Sequence, residues 1–242
     1  MNDLLESPIH KNYDIVIIGG ALYGSSIAWF LSNNSSFSGK ILVVEKDPSY
    51  EFSSTARTNS CIRQQFSQKI NIKISQFGAH YIKNFKNFMN KDPDIPSLGI
   101  ESFGYMYLAN TNAQAKVLKY NQKIQNSCNS KTRSMTASEI ESEYPFYNVE
   151  DIICGNHNVI DEGYFDGNTI FNWWLKSAKA NNVEYIKNEV CSFTMSKSKN
   201  KIESIILKSG SQISSHIVVN ASGPYASEIS AMAGINLPVE PR

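Results

Sequence analysis

The sequence predicts an α/β protein whose main sheet is doubly wound, and three observations predict it. Residues 13–24, Tyr-Asp-Ile-Val-Ile-Ile-Gly-Gly-Ala-Leu-Tyr-Gly, read as an apolar strand entering a glycine turn. The uncharged run Ser25–Leu31 and then Ile41-Leu-Val-Val-Glu45 add a helix and a second strand that ends in a carboxylate. Late in the chain His216–Asn220 runs into Ala221-Ser-Gly-Pro-Tyr225 and a helix through Ala233, which repeats the pattern of strand, glycine turn and helix.

The first of these units has the chemistry of a nucleotide-diphosphate site. Gly19, Gly20 and Gly24 let the backbone turn tightly and come close to a pyrophosphate, whose charge sits against the unpaired N–H groups at the start of the helix. Ala21 fills the second glycine position of the G-x-G-x-x-G pattern, so one methyl group must be accommodated there. Glu45 stands at the tip of the second strand, where a carboxylate accepts hydrogen bonds from adenosine ribose hydroxyls and repels a 2′-phosphate. NADP is disfavoured.

Composition bounds the rest. A chain of 242 residues with 41% hydrophobic residues buries a substantial core in one or two domains. Its net charge of +1 comes from 23 basic and 22 acidic residues, interspersed, with no basic stripe for nucleic acid beyond a patch at Lys197–Lys201 that fits the tip of a surface hairpin. Cys61, Cys128, Cys154 and Cys191 show no C-x-x-C pair and no metal-ligand spacing, and with no secretory signature they point to a reduced, cytoplasmic setting. Ile15–Leu31 is uncharged, but Gly19 and Gly20 break it and Asp3, Glu6 and Asp14 precede it, so it reads as buried strand and helix rather than a membrane span.

The middle of the chain follows in order. Lys46–Ser60 is a polar loop suited to binding. Between Gln68 and Met89 the residues Ile70, Ile74, Phe77, Tyr81, Phe85 and Phe88 recur at helical spacing, which predicts one long helix with this stripe facing the core. Asp92-Pro-Asp-Ile-Pro-Ser-Leu-Gly99 breaks the pattern and marks a domain crossing. A strand at Phe103–Leu108, helices at Ala113–Asn126 and Ser138–Glu143, and a returning strand at Cys154–Ile160 come next; Thr136-Ala-Ser-Glu139 fits a capping box. A helix over Asn168–Lys179, N-capped by Asp166 or Asn168, precedes strands at Val183–Phe193 and Ile202–Lys208.

Four motifs in this order carry a resemblance: the turn Gly19–Gly24, the segment Ser53-Ser-Thr-Ala-Arg-Thr-Asn-Ser-Cys-Ile-Arg-Gln-Gln-Phe-Ser67, the block Asp161-Glu-Gly-Tyr-Phe-Asp166, and Val219-Asn-Ala-Ser-Gly-Pro-Tyr-Ala-Ser-Glu228 with Leu237-Pro-Val-Glu-Pro-Arg242. Over residues 13–242 the chain resembles the FAD-dependent oxidoreductases of the D-amino-acid oxidase superfamily, in the branch of sarcosine oxidase and dimethylglycine dehydrogenase. The resemblance implies a glutathione-reductase type, Rossmann-like FAD-binding domain at 1–90 and 163–242, with a partial α+β substrate domain at 91–162. It implies FAD held by Gly19, Gly20, Ala21, Gly24, Glu45 and Lys46, by the loop residues Arg57, Thr58, Asn59 and Ser60, by Val190 near the adenine, and by Ala221 and Gly223. Arg63 matches a family arginine near the flavin, where a fixed positive charge stabilises the reduced anion. Ser60-Cys61 replaces the Gly-Gly of many relatives, and Cys61 reads as a small buried residue rather than a point of flavin attachment.

The activity that the resemblance implies is oxidation of a small amine or N-methyl amino acid by hydride transfer to the flavin, with oxygen or an electron-transfer protein as acceptor and hydrolysis of the imine product. Relatives continue past Arg242 into further substrate-domain strands and a closing glycine-rich FAD segment. The expectation is therefore an N-terminal part, marginally folded and without turnover by itself. Two other readings remain open: a non-catalytic flavin-binding assembly or scaffold protein, and an NAD-linked dehydrogenase sharing only the first glycine turn.

Overall fold

The computed structural model describes residues 4–90, 92–198 and 200–240. Its elements run β1 (Asn12–Ile18), α1 (Leu22–Ser32), β2 (Ile41–Glu45), β3 (Cys61–Ile62), α2 (Lys69–Lys83), α3 (Phe85–Phe88), β4 (Tyr105–Ala109) and α4 (Asn112–Ser127). They continue as β5 (Arg133–Thr136), α5 (Ala137–Glu143), β6 (Cys154–Asn158), β7 (Gly163–Tyr164), α6 (Gly167–Ala180), β8 (Glu184–Lys187), β9 (Val190–Met195), β10 (Ile202–Leu207), β11 (Gln212–Asn220) and α7 (Ala226–Met232). Two compact units divide the chain, Met1–Thr58 with Asn168–Arg242, and Asn59–Gly167. The bounds that the resemblance implies fall instead at 90/91 and 162/163, and the Pro93–Gly99 segment lies inside the second unit.

The first unit is built on a six-stranded sheet in the order β8-β2-β1-β11-β10-β9. Its β8, β2, β1 and β11 are parallel, and β10 and β9 extend it antiparallel. Val16, Ile17, Leu42 and Val43 are fully buried on successive positions, as expected where a parallel sheet is covered on both faces. The strand expected over Val183–Phe193 is two strands. Asn188 breaks it: its buried amide donates to the Glu6 carbonyl (2.7 Å) and to Ser209 Oγ (2.9 Å), while its Oδ1 accepts from the Glu189 N–H (2.8 Å). After the break β9 pairs with β10, and the Ser196 N–H donates to the Lys201 carbonyl across the hairpin. Lys199 of the basic patch lies outside the described residues, as do Asp3 and the Pro241-Arg242 end of the last motif.

The second unit holds a three-stranded antiparallel sheet, β4-β6-β5, and the short pair β3-β7. Thr136 and Glu139 form the expected capping box at α5, and Thr111 and Gln114 form another at α4. The long helix expected to Met89 stops at Lys83, where Asn84 leaves helical geometry and its amide donates to the His80 carbonyl (2.8 Å). Its core-facing stripe is also corrected. Of the stripe, Ile70, Ile74 and Phe77 are 60%, 61% and 56% exposed while Tyr81 and Phe85 are buried, and Ile72, Ala79 and Ile82, outside the stripe, are buried as well. The helical period is right and the face holds from Tyr81 to Phe85, but not at the start of the helix, where isoleucines at 70, 72 and 74 put apolar groups on opposite sides of one turn. Cys61 is exposed rather than buried, with its thiol donating to the Asn59 carbonyl. Among the described residues no helix is long and apolar enough to cross a membrane.

Candidate functional site

The glycine turn sits where β2, β1 and β11 end together. The Gly19 N–H donates to the Val44 carbonyl (2.9 Å) and the Ala221 N–H to the Ile18 carbonyl (2.9 Å), so the first turn and the late one are stitched to the same strand ends. Gly19 is obligatory on two counts: its φ is +97°, and a Cβ there would lie 2.5 Å from the Ala221 carbonyl oxygen. At Gly24 a Cβ would lie 1.8 Å from the Gly19 carbonyl oxygen, so helix α1 starts in direct backbone contact with the turn.

Glu45 ends β2 with both oxygens engaged. Oε2 accepts from the Gly20 N–H (2.7 Å) and Oε1 from the Asp47 N–H (2.8 Å), which fixes the carboxylate and leaves each oxygen further acceptor capacity for ribose hydroxyls. Helix α1 has no acidic residue in its first turn, and Ala21 at its N-cap gives no side-chain hydrogen bond. Thr55 Oγ takes the Leu22 N–H instead (3.1 Å), tying the 46–60 loop to the positive end of the helix dipole.

Around these groups opens a cavity of about 760 Å³. Of the residues expected at a cofactor site, Gly19, Ala21, Glu45, Lys46, Thr58, Val190, Ala221 and Gly223 line it. Gly20 and Gly24 do not line it; they act on its shape, Gly20 through the Glu45 bond and Gly24 through close packing. Arg57 stacks its guanidinium 5.0 Å from the Phe52 ring and is outside the lining. Asn59, Ser60 and Arg63 belong to the other compact unit.

Several lining residues escaped the sequence reading. Tyr50 packs edge-on against Phe171 (4.9 Å), and burial first, then the Glu45 charge, push its pKa up, so its hydroxyl stays a donor. Outside the lining, burial likewise pushes Tyr185 up to about 12, with its hydroxyl 3.5 Å from Ser25 Oγ. Tyr225 takes the Lys46 ammonium 3.3 Å from its ring centroid, and Ile229 and Met232 of α7 add an apolar wall. The available signal was the run of aromatics and hydroxyls inside a loop already marked as polar. Charged and hydrogen-bonding groups beside an apolar wall suit a nucleotide, with the phosphates at the helix start and ribose at Glu45.

Within its own unit Arg63 lies over the rings of Phe66 (5.0 Å) and Tyr105 (5.8 Å). Its Nε is buried without a hydrogen-bond partner, and its carbonyl accepts from Ser75 Oγ.

Residues 14–242 match the FAD dependent oxidoreductase family, DAO. The chain belongs to this family. Its cofactor is FAD, which sets aside the NAD-linked reading, and the turn, the Glu45 carboxylate and the cavity fit the adenosine diphosphate half of that group. Among curated proteins, the FAD-dependent oxidoreductase domain-containing protein 1 of Xenopus laevis is 27% identical over 95% of this chain and 52% of its own length. That of Bos taurus is 28% identical over 95% and 53%. The chain thus spans about half the length of the curated relatives it matches. Among solved structures, L-proline dehydrogenase from P. horikoshii aligns with a TM-score of 0.75 at 26% identity, covering 96% of this chain and 58% of that one.

Proposed function

We propose that this chain is the cofactor-bearing part of an FAD-dependent oxidoreductase that oxidises a small amine or N-methyl amino acid at its CH–NH bond. The observation that carries the reading is the family match joined to the cavity where Glu45 and the Gly19–Gly24 turn converge. The similarity to an L-proline dehydrogenase supports the substrate class, because proline is itself a secondary amine. FAD, when bound, supplies the acceptor for a hydride. The residues of the chain hold and tune it: Glu45 fixes the ribose, the start of helix α1 neutralises pyrophosphate charge, and Arg63 contributes the positive charge that favours the reduced anionic flavin. The four free cysteines support a reduced, cytoplasmic setting, which cell fractionation tests.

Purification of a complete protein carrying this chain, followed by anaerobic titration with sarcosine and with L-proline, tests the activity. A yellow protein whose flavin absorbance bleaches with either amine supports it. Flavin that stays oxidised against a panel of small amines would replace this reading with that of a flavin-binding assembly or scaffold protein.

A further inference from the structure

We propose that Glu162 is a positioning residue for Arg63, holding the cation of that side chain over its aromatic platform and free of any carboxylate partner. The proposal rests on the reading of Arg63 as the flavin-side charge. Its observations all come from the Asn59–Gly167 unit.

Glu162 is fully buried, and a carboxylate with no water must be compensated by donors or cations. Three donors compensate it. Oε1 accepts from the Gln64 N–H (2.7 Å) and from Asn158 Nδ2 (2.9 Å), and Oε2 accepts from Gln65 Nε2 (2.9 Å). Two of the three thus come from the residues directly after Arg63. On the other side of Arg63, Ile62 pairs with Gly163, the residue after Glu162. The backbone carrying the arginine is therefore fixed on both sides by residues 162–163.

The remaining bonds close the cradle. Gln64 Nε2 donates to the Ile160 carbonyl (2.9 Å), Gln76 Nε2 donates to Gln64 Oε1 (2.9 Å), and Gln65 Nε2 also donates to the Tyr105 carbonyl (2.8 Å), so the strand bearing the Tyr105 ring is tied to the same turn. Among the described residues Arg63 makes no ion pair, yet its charge acts on Glu162, opposing the upward push that burial gives the carboxyl. A negative charge spent on backbone and amide donors cannot quench the arginine by contact. It still provides the field that offsets the burial of the Arg63 Nε.

A purely space-filling Glu162 would be replaced by glutamine without consequence for Arg63, and a positioning charge would not. The test uses the complete protein carrying this chain, labelled at arginine with 15N, with the Arg63 Nε–H signal assigned by its loss in Arg63→Met. In Glu162→Gln that signal is expected to exchange with solvent about tenfold faster, while the backbone amides of Ala79 and Ile82 in α2 keep their protection. Glu162→Asp, which keeps the charge at shorter reach, is expected to fall between. An Nε–H rate within about twofold of wild type in Glu162→Gln overturns the proposal, as does acceleration shared equally by the α2 amides. If Glu162→Gln does not fold, Gln65→Met severs one bond to the carboxylate, and the same two outcomes decide. The flavin reading has its own readout. An unchanged flavin reduction potential in Arg63→Met removes the flavin-side role, and leaves the exchange result to judge the positioning alone.

Discussion

Among the described residues Gln64, Gln65, Gln125, Ser130, Thr132, Asn156, His157, Asn158 and Glu162 are buried polar side chains of one unit, whereas the other buries Val16, Ile17, Leu42, Val43 and Ile205 with far fewer polar companions. In the first interior donor–acceptor pairs such as those on Glu162 and Asn158 stand beside apolar groups such as Ile72, Phe85 and Ile140, and Gln65 Oε1, Gln125 Oε1, Ser130 Oγ and Thr132 Oγ1 are buried without a hydrogen-bond partner; the second is held by steric fit and apolar area. The two should therefore fail under different insults. Shape changes break the sheet unit, and loss of an acceptor or a change of pH breaks the polar one.

The largest effect is expected from Gly24→Val, which drives a branched side chain into the Gly19 carbonyl oxygen and must push helix α1 off the strand ends. A loss of more than about 4 kcal/mol and no retained flavin are expected; stoichiometric FAD in the purified variant would refute the assignment of this turn. Next comes Glu162→Ala, which strands the Gln64, Gln65 and Asn158 donors with no charge to serve. It should cost about 3–5 kcal/mol in urea unfolding, as removal of one member of a buried charged cluster does. A loss under about 1 kcal/mol would mean that the polar interior is not cooperative.

Titration separates the units more gently. Burial, the largest influence on Glu162, raises its pKa above the ordinary 4.5, so the folded state holds that proton more tightly than the unfolded chain does. The unfolded state then binds fewer protons over the interval from about 4.5 to the folded value, and stability falls as pH rises through it, by at most about 1.4 kcal/mol per pH unit. The difference in stability between wild type and Glu162→Gln should carry that slope, and a difference independent of pH would refute it. The smallest effect is expected from Ile74→Ser on the exposed side of α2, within about 0.5 kcal/mol. A loss above about 1.5 kcal/mol would show that this face is covered in solution.

What the sequence revealed follows the same division. The β1-α1-β2 unit was legible because its glycines are demanded by backbone contacts and its acid by a fixed distance along the fold. The capping box at Thr136 was legible because it is a local bond. The face of α2 was not, since apolar residues on both sides of the helix leave periodicity without a preference. Asn188 hid inside an apparent strand because its partners, Glu6 and Ser209, are remote in sequence. Pairs as short as β3 and β7 carry no period to read. Tyr50 and Thr55 in the site depend on how an irregular loop folds back, which composition marks as polar but does not direct.

Ile18 in β1 lies beside Val44 on one flank and Asn220 on the other. The inner strand of the sheet thus waits for a neighbour made about two hundred residues later. During synthesis about two hundred residues must follow β1 before the Ala221 carbonyl can close over Gly19 or α7 can bring Ile229 and Met232 to the cavity. The Asn59–Gly167 segment, whose strands pair among themselves, has no such wait. The cavity that suits the adenosine diphosphate half of FAD therefore closes late, after the Asn59–Gly167 segment has been free to pair its own strands.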